Sequence, residues 1–396
     1  MSTRTKLLLS SMLVGIGAAL GAAPAAAQEA TTEGCIADFD PSASYFPAET
    51  TIEEAENVSI DYFGSYKVIT VDLPYPGGAP QTYVLVQCGA PTPEVATATP
   101  GAVVVHIPVR AVYAASGPGL FAALDRIDAI AGVPWGEYLY NAEVRAGIAE
   151  GRIVEFSPNF QLDLERVLAG MPDLYVTGGT EDPLFARFLE AGIPVVSAAA
   201  YLEPTALGQA EWVKFIAAFF NDEARADAIF DDVQDRYAEV AARAAVIPEA
   251  ERPLVLVGSA YQGVFYAAGG QSYVAQMIEA AGGRYVFAED QSTASMQVPE
   301  LEVVIDRAGD AAYWLNVSAP SVASAVADEP RLGGLAAVAS GELWQYDRIS
   351  NGPLALDYFE RGPLRPDLVL SDMMKIFHPD LMTDYAFEFY RRLPLE

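Results

Sequence analysis

Four rhythms of apolar and polar residues follow one another along this chain. The first 27 residues run from basic Arg4 and Lys6 through a largely apolar stretch, Leu7 to Ala23, to the small residues Ala25-Ala26-Ala27. That order predicts a secretory signal cleaved before Gln28 rather than a membrane span. Residues 28–100 then carry two β-rich runs, Tyr66–Val71 and Gln81–Gln87, around Pro74-Tyr75-Pro76-Gly77-Gly78. Two such runs about a Pro/Gly turn predict a hairpin, and the Pro- and Thr-rich stretch 91–100 predicts a linker.

From Ala102 apolar runs alternate with helical segments. Residues 103–109, 111–114, 153–156, 174–177 and 193–196 read as strands. Ser116-Gly117-Pro118-Gly119 opens a helix over 120–126, and Gly192 ends one over 183–191. Alternation of this kind predicts a mainly parallel sheet flanked by helices. The middle is helical. Residues 211–220 form one segment, and Asn221 caps a second, where Ala226, Ile229, Val233, Tyr237 and Val240 make one apolar stripe. From Asp222 to Ala244 that helix rises about 35 Å, enough to cross a lobe. Arg252 then starts a second α/β series. The expected division is a signal at 1–27, a β-rich appendage and linker at 28–100, an α/β lobe at 101–205, a helical connector at 206–247 and a second α/β lobe at 248–396.

One unit occurs twice. Leu162 to Val176 and Pro299 to Leu315 each hold a short helix with an outward acid, an acidic turn and an apolar strand. The repeat predicts two similar lobes, each presenting one glutamate, Glu165 and Glu302.

Charge and cysteine usage narrow the class. The chain has 23 Lys+Arg against 53 Asp+Glu, a net charge of −30. Without the first 27 residues, 21 basic residues face 53 acidic ones, or −32. Nucleic-acid binding needs a basic footprint, so that class is excluded. After an export signal, Cys35 and Cys88 predict a disulfide. It would close a 53-residue separation, worth about 4 kcal/mol on the chain-entropy account. Cys35 does not directly follow the cleavage point, so a soluble periplasmic protein without a lipid anchor is expected. Only His106 and His378 are present, which disfavours a multi-histidine metal site; no cofactor is expected.

The densest local signal is Tyr261 to Gly283: an aromatic loop, a glycine turn at Gly269-Gly270, and Ser272 at a helix start. Backbone N–H groups there suit an oxygen-rich ligand and the rings supply apolar area. This string, the closing segment Asp357 to Asp372 with Ile376 to Leu381, and the paired Glu165 and Glu302 resemble the periplasmic solute-binding proteins that serve ABC importers of iron chelates, haem and cobalamin. The resemblance covers about 102–393. Its pattern often has Trp where this chain has Phe359.

The resemblance implies an α/β fold of two doubly wound lobes joined by a single long helix, with a ligand cleft between them. It implies capture of a small-molecule metal chelate by a monomer that docks on an ABC permease dimer through Glu165 and Glu302. Strand-end loops line such clefts, which nominates Ser116, Gly117, Trp135, Tyr201, Tyr261, Gln262, Tyr266, Ser272, Tyr273, Ser295, Asn351 and Tyr358. Few basic residues fall in those loops, which favours a ferric hydroxamate-like chelate, haem or a corrinoid over a heavily anionic siderophore. No enzyme is expected, since the nucleophile elbow, the Gly-x-Gly-x-x-Gly turn and the Walker loop are all absent. A periplasmic sensor that reports its ligand to a membrane partner is the alternative.

Overall fold

The computed structural model describes residues 35–327 and 329–396; the expected signal at 1–27 lies outside them. The chain opens with β1 (Val58–Phe63), β2 (Tyr66–Val71) and β3 (Gln81–Gln87), then α1 (Glu94–Ala98) and β4 (Val103–Ile107). The first three strands are antiparallel and β4 joins β3 in parallel. The predicted hairpin forms with Tyr66 opposite Val86. Two features differ from expectation. The stretch read as a linker contains the helical turn α1, and β4 completes the first sheet rather than entering the sheet of the lobe. Both follow from the crossover a parallel pair requires, which α1 supplies. Cys35 and Cys88 form a disulfide that ties the start of the described chain to the end of β3.

The second sheet is wholly parallel. It uses β5 (Val112–Ala114), β6 (Ile130–Val133), β7 (Val154–Glu155), β8 (Leu174–Thr177) and β9 (Val195–Ser197) in the order β7-β6-β5-β8-β9. Its helices are α2 (Gly119–Ala123), α3 (Ala142–Ala149), α4 (Leu164–Gly170) and α5 (Phe185–Glu190). Because side chains alternate along a strand, Val112 and Ala114 point into one core and Tyr113 into another. The first core also takes Ile69, Tyr83, Leu85 and Val105 from the first sheet. The N-terminal segment therefore shares the hydrophobic core of the first lobe.

Next come α6 (Ala206–Ala218) and α7 (Glu223–Ala245). The helix cap sits at Asp222 rather than Asn221, which adopts a left-handed backbone at φ 59°. Asn221 instead accepts from Lys67 Nζ at 2.7 Å and donates to Gln87 at 2.9 Å. On α7, Ala226, Phe230 and Val233 enter the first core while Val240 and Ala244 enter that of the second lobe. One apolar stripe thus joins both lobes along a helix about 35 Å long.

The second lobe adds β10 (Leu254–Tyr261), β11 (Val264–Ala268), α8 (Tyr273–Ala280), β12 (Arg284–Tyr285), β13 (Ser295–Val298), α9 (Leu301–Ala308), β14 (Tyr313–Leu315), α10 (Val322–Ala325), α11 (Ala336–Ser340), β15 (Leu343–Gln345), α12 (Asp357–Arg361), α13 (Pro366–Phe377) and β16 (Arg391–Arg392). Its path is β13-β11-β10-β14-β15-β16, with β12 beside β10. The strands β12, β10, β14 and β15 are parallel, and antiparallel β11, β13 and β16 extend the two edges.

Buried ions hold the N-terminal segment to this frame. Lys67 is fully buried, and its three ammonium hydrogens meet Ala218 O, Asn221 Oδ1 and Glu223 Oε1. Glu211 of α6, also fully buried, accepts from the backbone N–H of Glu53, Glu54 and Ala55 and from Lys214. Glu203 accepts from Glu56 and Asn57 N–H and from the Trp212 indole. Buried charges persist only when paired and hydrogen-bonded, and residues 53–57 supply backbone partners to Glu211 and Glu203.

Candidate functional site

The strand order of the first lobe reverses direction between β5 and β8, and ligands of open α/β sheets bind outside the carboxyl ends of the strands at such a point. Ala115, Ser116 and Gly117 leave β5 there, and Gly178 leaves β8. They line a cavity of about 320 Å³ with Pro134 and Trp135 after β6, Tyr138, Tyr201, Gln209 of α6, and Phe359 and Glu360 of α12. Both lobes therefore contribute walls. The volume is at the lower end of small-molecule sites.

Of the nominated residues, Ser116, Gly117, Trp135 and Tyr201 meet in this cavity. Gly117 turns the chain at φ 89°, a conformation natural to glycine. Trp135 lies within an aromatic group, 5.9 Å from Tyr138 and 5.4 Å from Phe160 between ring centroids. The Tyr201 hydroxyl donates to Gly179 O at 3.0 Å. Three polar atoms of these lining residues, Ser116 Oγ, Trp135 Nε1 and Gln209 Nε2, are fully buried without a hydrogen-bond partner.

Tyr273 and Tyr358 line a smaller cavity of about 80 Å³ that shares Gln209, Phe359 and Pro363 with the first. The Tyr358 and Tyr273 hydroxyls lie side by side and interact, and the Tyr358 ring stacks on Tyr346 at 4.4 Å. Burial, followed by the neighbouring tyrosines, holds the Tyr358 hydroxyl well above its ordinary pKa, so it acts as a neutral donor and acceptor.

Other nominated residues lie elsewhere. Tyr261, Gln262 and Tyr266 sit on the exposed β10–β11 hairpin, and Ser295 opens β13; none lines either cavity. Ser272 is the N-cap of α8, its hydroxyl donating to Gly269 O at 2.7 Å and accepting from Ala275 N at 3.3 Å. The glycine turn that suggested a ligand site thus serves the helix cap. Asn351 bridges the lobes by donating to Tyr140 O at 2.6 Å.

Gln209, Tyr138 and Glu360 were missed. Gln209 has a detectable signal, a polar residue on a helix otherwise rich in Ala, Trp, Val, Phe and Ile. Glu360 has none, because its partners are backbone groups of the other lobe: Tyr140 N–H, and Asn141 N–H at 3.1 Å. The lobes nearly touch here, since a Cβ on Gly119 would lie 1.9 Å from Glu360 O. Burial raises the Glu360 pKa above the ordinary carboxylate value, opposed by these N–H groups and by Arg145 and reinforced by Asp357. A carboxyl with a raised folded-state pKa binds more protons folded than unfolded, so its contribution falls as pH rises through the window above the ordinary value. Glu360→Gln should therefore gain stability relative to wild type between pH 4.5 and 7. Urea titrations of both proteins across that range check this, and a flat difference would contradict it.

Two larger grooves are lined by arginines that are mostly paired, with Arg307 in the second lying over the Phe287 ring. In that of about 670 Å³ beside α2 and α7, Arg225 pairs with Asp125, Arg361 with Asp357 and Arg365 with Asp367. In that of about 630 Å³ beside β12, Arg252 donates to backbone carbonyls and Arg284 faces Glu249.

The docking candidates occupy equivalent places. Glu165 and Glu302 are exposed in the first turns of α4 and α9. Glu302 also accepts from Arg331 at 2.7 Å.

Comparison with known proteins agrees with this architecture. The profile of the family described as periplasmic binding protein matches residues 111–348, more than half of the chain. The chain belongs to the periplasmic binding protein family. Members bind small ligands and deliver them to ABC permeases. The match begins at β5, after the first sheet, and ends before α12. An uncharacterized lipoprotein of Methanocaldococcus jannaschii is 28% identical over 276 residues, 68% of this chain and 64% of that relative, so the match spans less than two thirds of that relative's length. A periplasmic binding protein from Veillonella parvula aligns with TM-score 0.55 at 16% identity, covering 84% of this chain and 98% of that one. A periplasmic haem-binding protein from Pseudomonas aeruginosa aligns with TM-score 0.50 at 20% identity, covering 68% and 92%. At these identities the two structures establish the fold alone.

Proposed function

We propose that this chain is the periplasmic substrate-binding component of an ABC importer, capturing an iron chelate or a cobalamin-like ligand between its lobes. The observation that carries the reading is the cavity at the β5/β8 switch point, lined by residues of the first lobe and closed on its other side by Phe359 and Glu360 of α12. The haem-binding relative of the same fold supports the chelate class.

In this reading the ligand is loaded in the periplasm by a monomer. Glu165 and Glu302, one per lobe, meet basic residues on the two permease subunits. The protein is freely soluble after signal cleavage. Supporting that, the only two cysteines in the sequence are bonded to each other, so neither offers a thiol to a lipid.

Native mass spectrometry of residues 28–396, titrated with ferric siderophores, haem and cobalamin, tests the proposal. One ligand retained at micromolar affinity or tighter is expected. No retention across the panel would remove the chelate reading.

A further inference from the structure

Residues 136–141, between β6 and α3, form a strap that carries Tyr138 and Leu139 onto the wall of the inter-lobe cavity. Its backbone polar groups are divided between the lobes. The first lobe holds the start: Gly136 N–H donates to Glu155 at 2.7 Å, and Arg145 Nη1 donates to Leu139 O at 3.1 Å. The second lobe holds the end. Tyr140 N–H donates to Glu360 Oε1, and Asn141 N–H donates to both Glu360 oxygens at 3.1 and 3.2 Å. From the loop before α12, Asn351 Nδ2 donates to Tyr140 O at 2.6 Å. Tyr140 is thus gripped at its N–H and at its C=O.

The grip comes from a fixed post. Gly119 backs onto α12 with no room for a Cβ, which would lie 1.9 Å from Glu360 O, and Leu364 just beyond α12 is buried in the core of the first lobe. The strap is built more lightly, with one short turn, Gly136–Tyr138, as its regular structure. Backbone N–H and C=O groups withdrawn from water need partners, and for the end of the strap those partners belong to the other lobe. Bonds to an ionised acceptor such as Glu360 are about twice as strong as neutral ones.

We infer that Glu360 and Asn351 are positioning residues for ligand binding: from the second lobe they set where the strap stands, and with it the Tyr138 and Leu139 wall of the cleft. This rests on the reading of the cleft as the ligand site and assigns what holds one wall of it. Asn351 lines neither cavity, so it acts on a ligand only through the strap. Relaxing the grip leaves the lining side chains of the first lobe in place but loosens the wall they share. Affinity then falls mainly through faster ligand dissociation.

Hydrogen exchange of the ligand-free mature protein, read by mass spectrometry on peptides covering 136–141, tests the grip. Glu360→Ala should speed exchange there at least tenfold. Glu360→Gln should stay within threefold of wild type, because one oxygen, Oε1, already accepts from both amides. Asn351→Ala takes no acceptor from either N–H, so the acceleration of at least threefold expected in it reports displacement of the strap itself. Dissociation of haem, cobalamin and ferrichrome, followed by stopped-flow absorbance, should be at least fivefold faster in Asn351→Ala for each of them that wild type retains. Urea unfolding confirms that each variant is folded. Exchange within twofold of wild type in both alanine variants overturns the inference, as does faster exchange with unchanged dissociation. Retention of none of the three by wild type counts against the chelate reading, and the exchange result then decides the inference by itself.

Discussion

A chain carrying Glu165→Arg and Glu302→Arg together should bind its ligand as wild type does and support no uptake. The two acids occupy the same place on equivalent α/β units, exposed in the first turns of α4 and α9. Neither lines either cavity between the lobes, so reversal leaves the ligand site intact. If each faces a basic residue of a permease subunit, reversal sets like charges opposite each other, and such juxtaposition costs several kcal/mol. A single reversal should lower uptake at least tenfold and the pair should bring it to background. The pairing of Glu302 with Arg331 is solvent-exposed, so its loss should leave stability nearly unchanged. Ligand uptake by cells expressing each variant, alongside calorimetry on the purified proteins, reads both halves. Normal uptake by the double variant would remove these residues from docking, and lost ligand affinity would show that the effect lies in the fold.

The largest stability effect is expected at Glu211. Its carboxylate is fully buried and accepts from Glu53, Glu54 and Ala55 N–H at 2.7–2.9 Å and from Lys214 at 2.8 Å. Glu211→Ala strands three backbone donors and leaves a buried ammonium held by Thr51 O and the Phe230 ring, with Asp227 at 3.7 Å. Breaking a buried pair from one side costs about 3–5 kcal/mol, and urea denaturation followed by tryptophan fluorescence should show a loss of that size. Replacing both ions, as Glu211→Leu with Lys214→Met, should recover part of it, because no unpaired charge remains. A loss below about 1 kcal/mol would mean that residues 53–57 are held by apolar contact instead.

Local pattern made much of the architecture legible. Residues 66–71 and 81–87 alternate about a Pro/Gly turn and form the hairpin. Residues 174–177 form β8 as expected. The stripe Ala226, Ile229, Val233, Tyr237 and Val240 on α7 is legible because a helical period needs no distant partner. The same holds for the repeated acid, helix and strand that nominated Glu165 and Glu302. Strand pairing was less accessible. Nothing local assigns Val103–Ile107 to the first sheet rather than the second, since a β-branched run such as Val103-Val104-Val105 suits a strand of either sheet.

The ligand site divides along the same line. Ser116, Gly117, Trp135 and Tyr201 follow strands, and the strand-end rule finds them from the order of elements. Ser272 followed the same logic, yet its hydroxyl is consumed by the helix that begins there. Tyr261 and Tyr266 have the composition of a binding surface and stand on an exposed hairpin. By itself the sequence determined the α/β class, the lobed order, the disulfide partners and the acidic surface, since these rest on period, composition and count. Only the tertiary structure decided that α12 walls the cavity, that Glu360 accepts from the opposite lobe, and that Gln209 of α6 joins the cavity lining. Those facts depend on which backbone and which side chain approach each other across more than a hundred residues, and no local period encodes such an encounter.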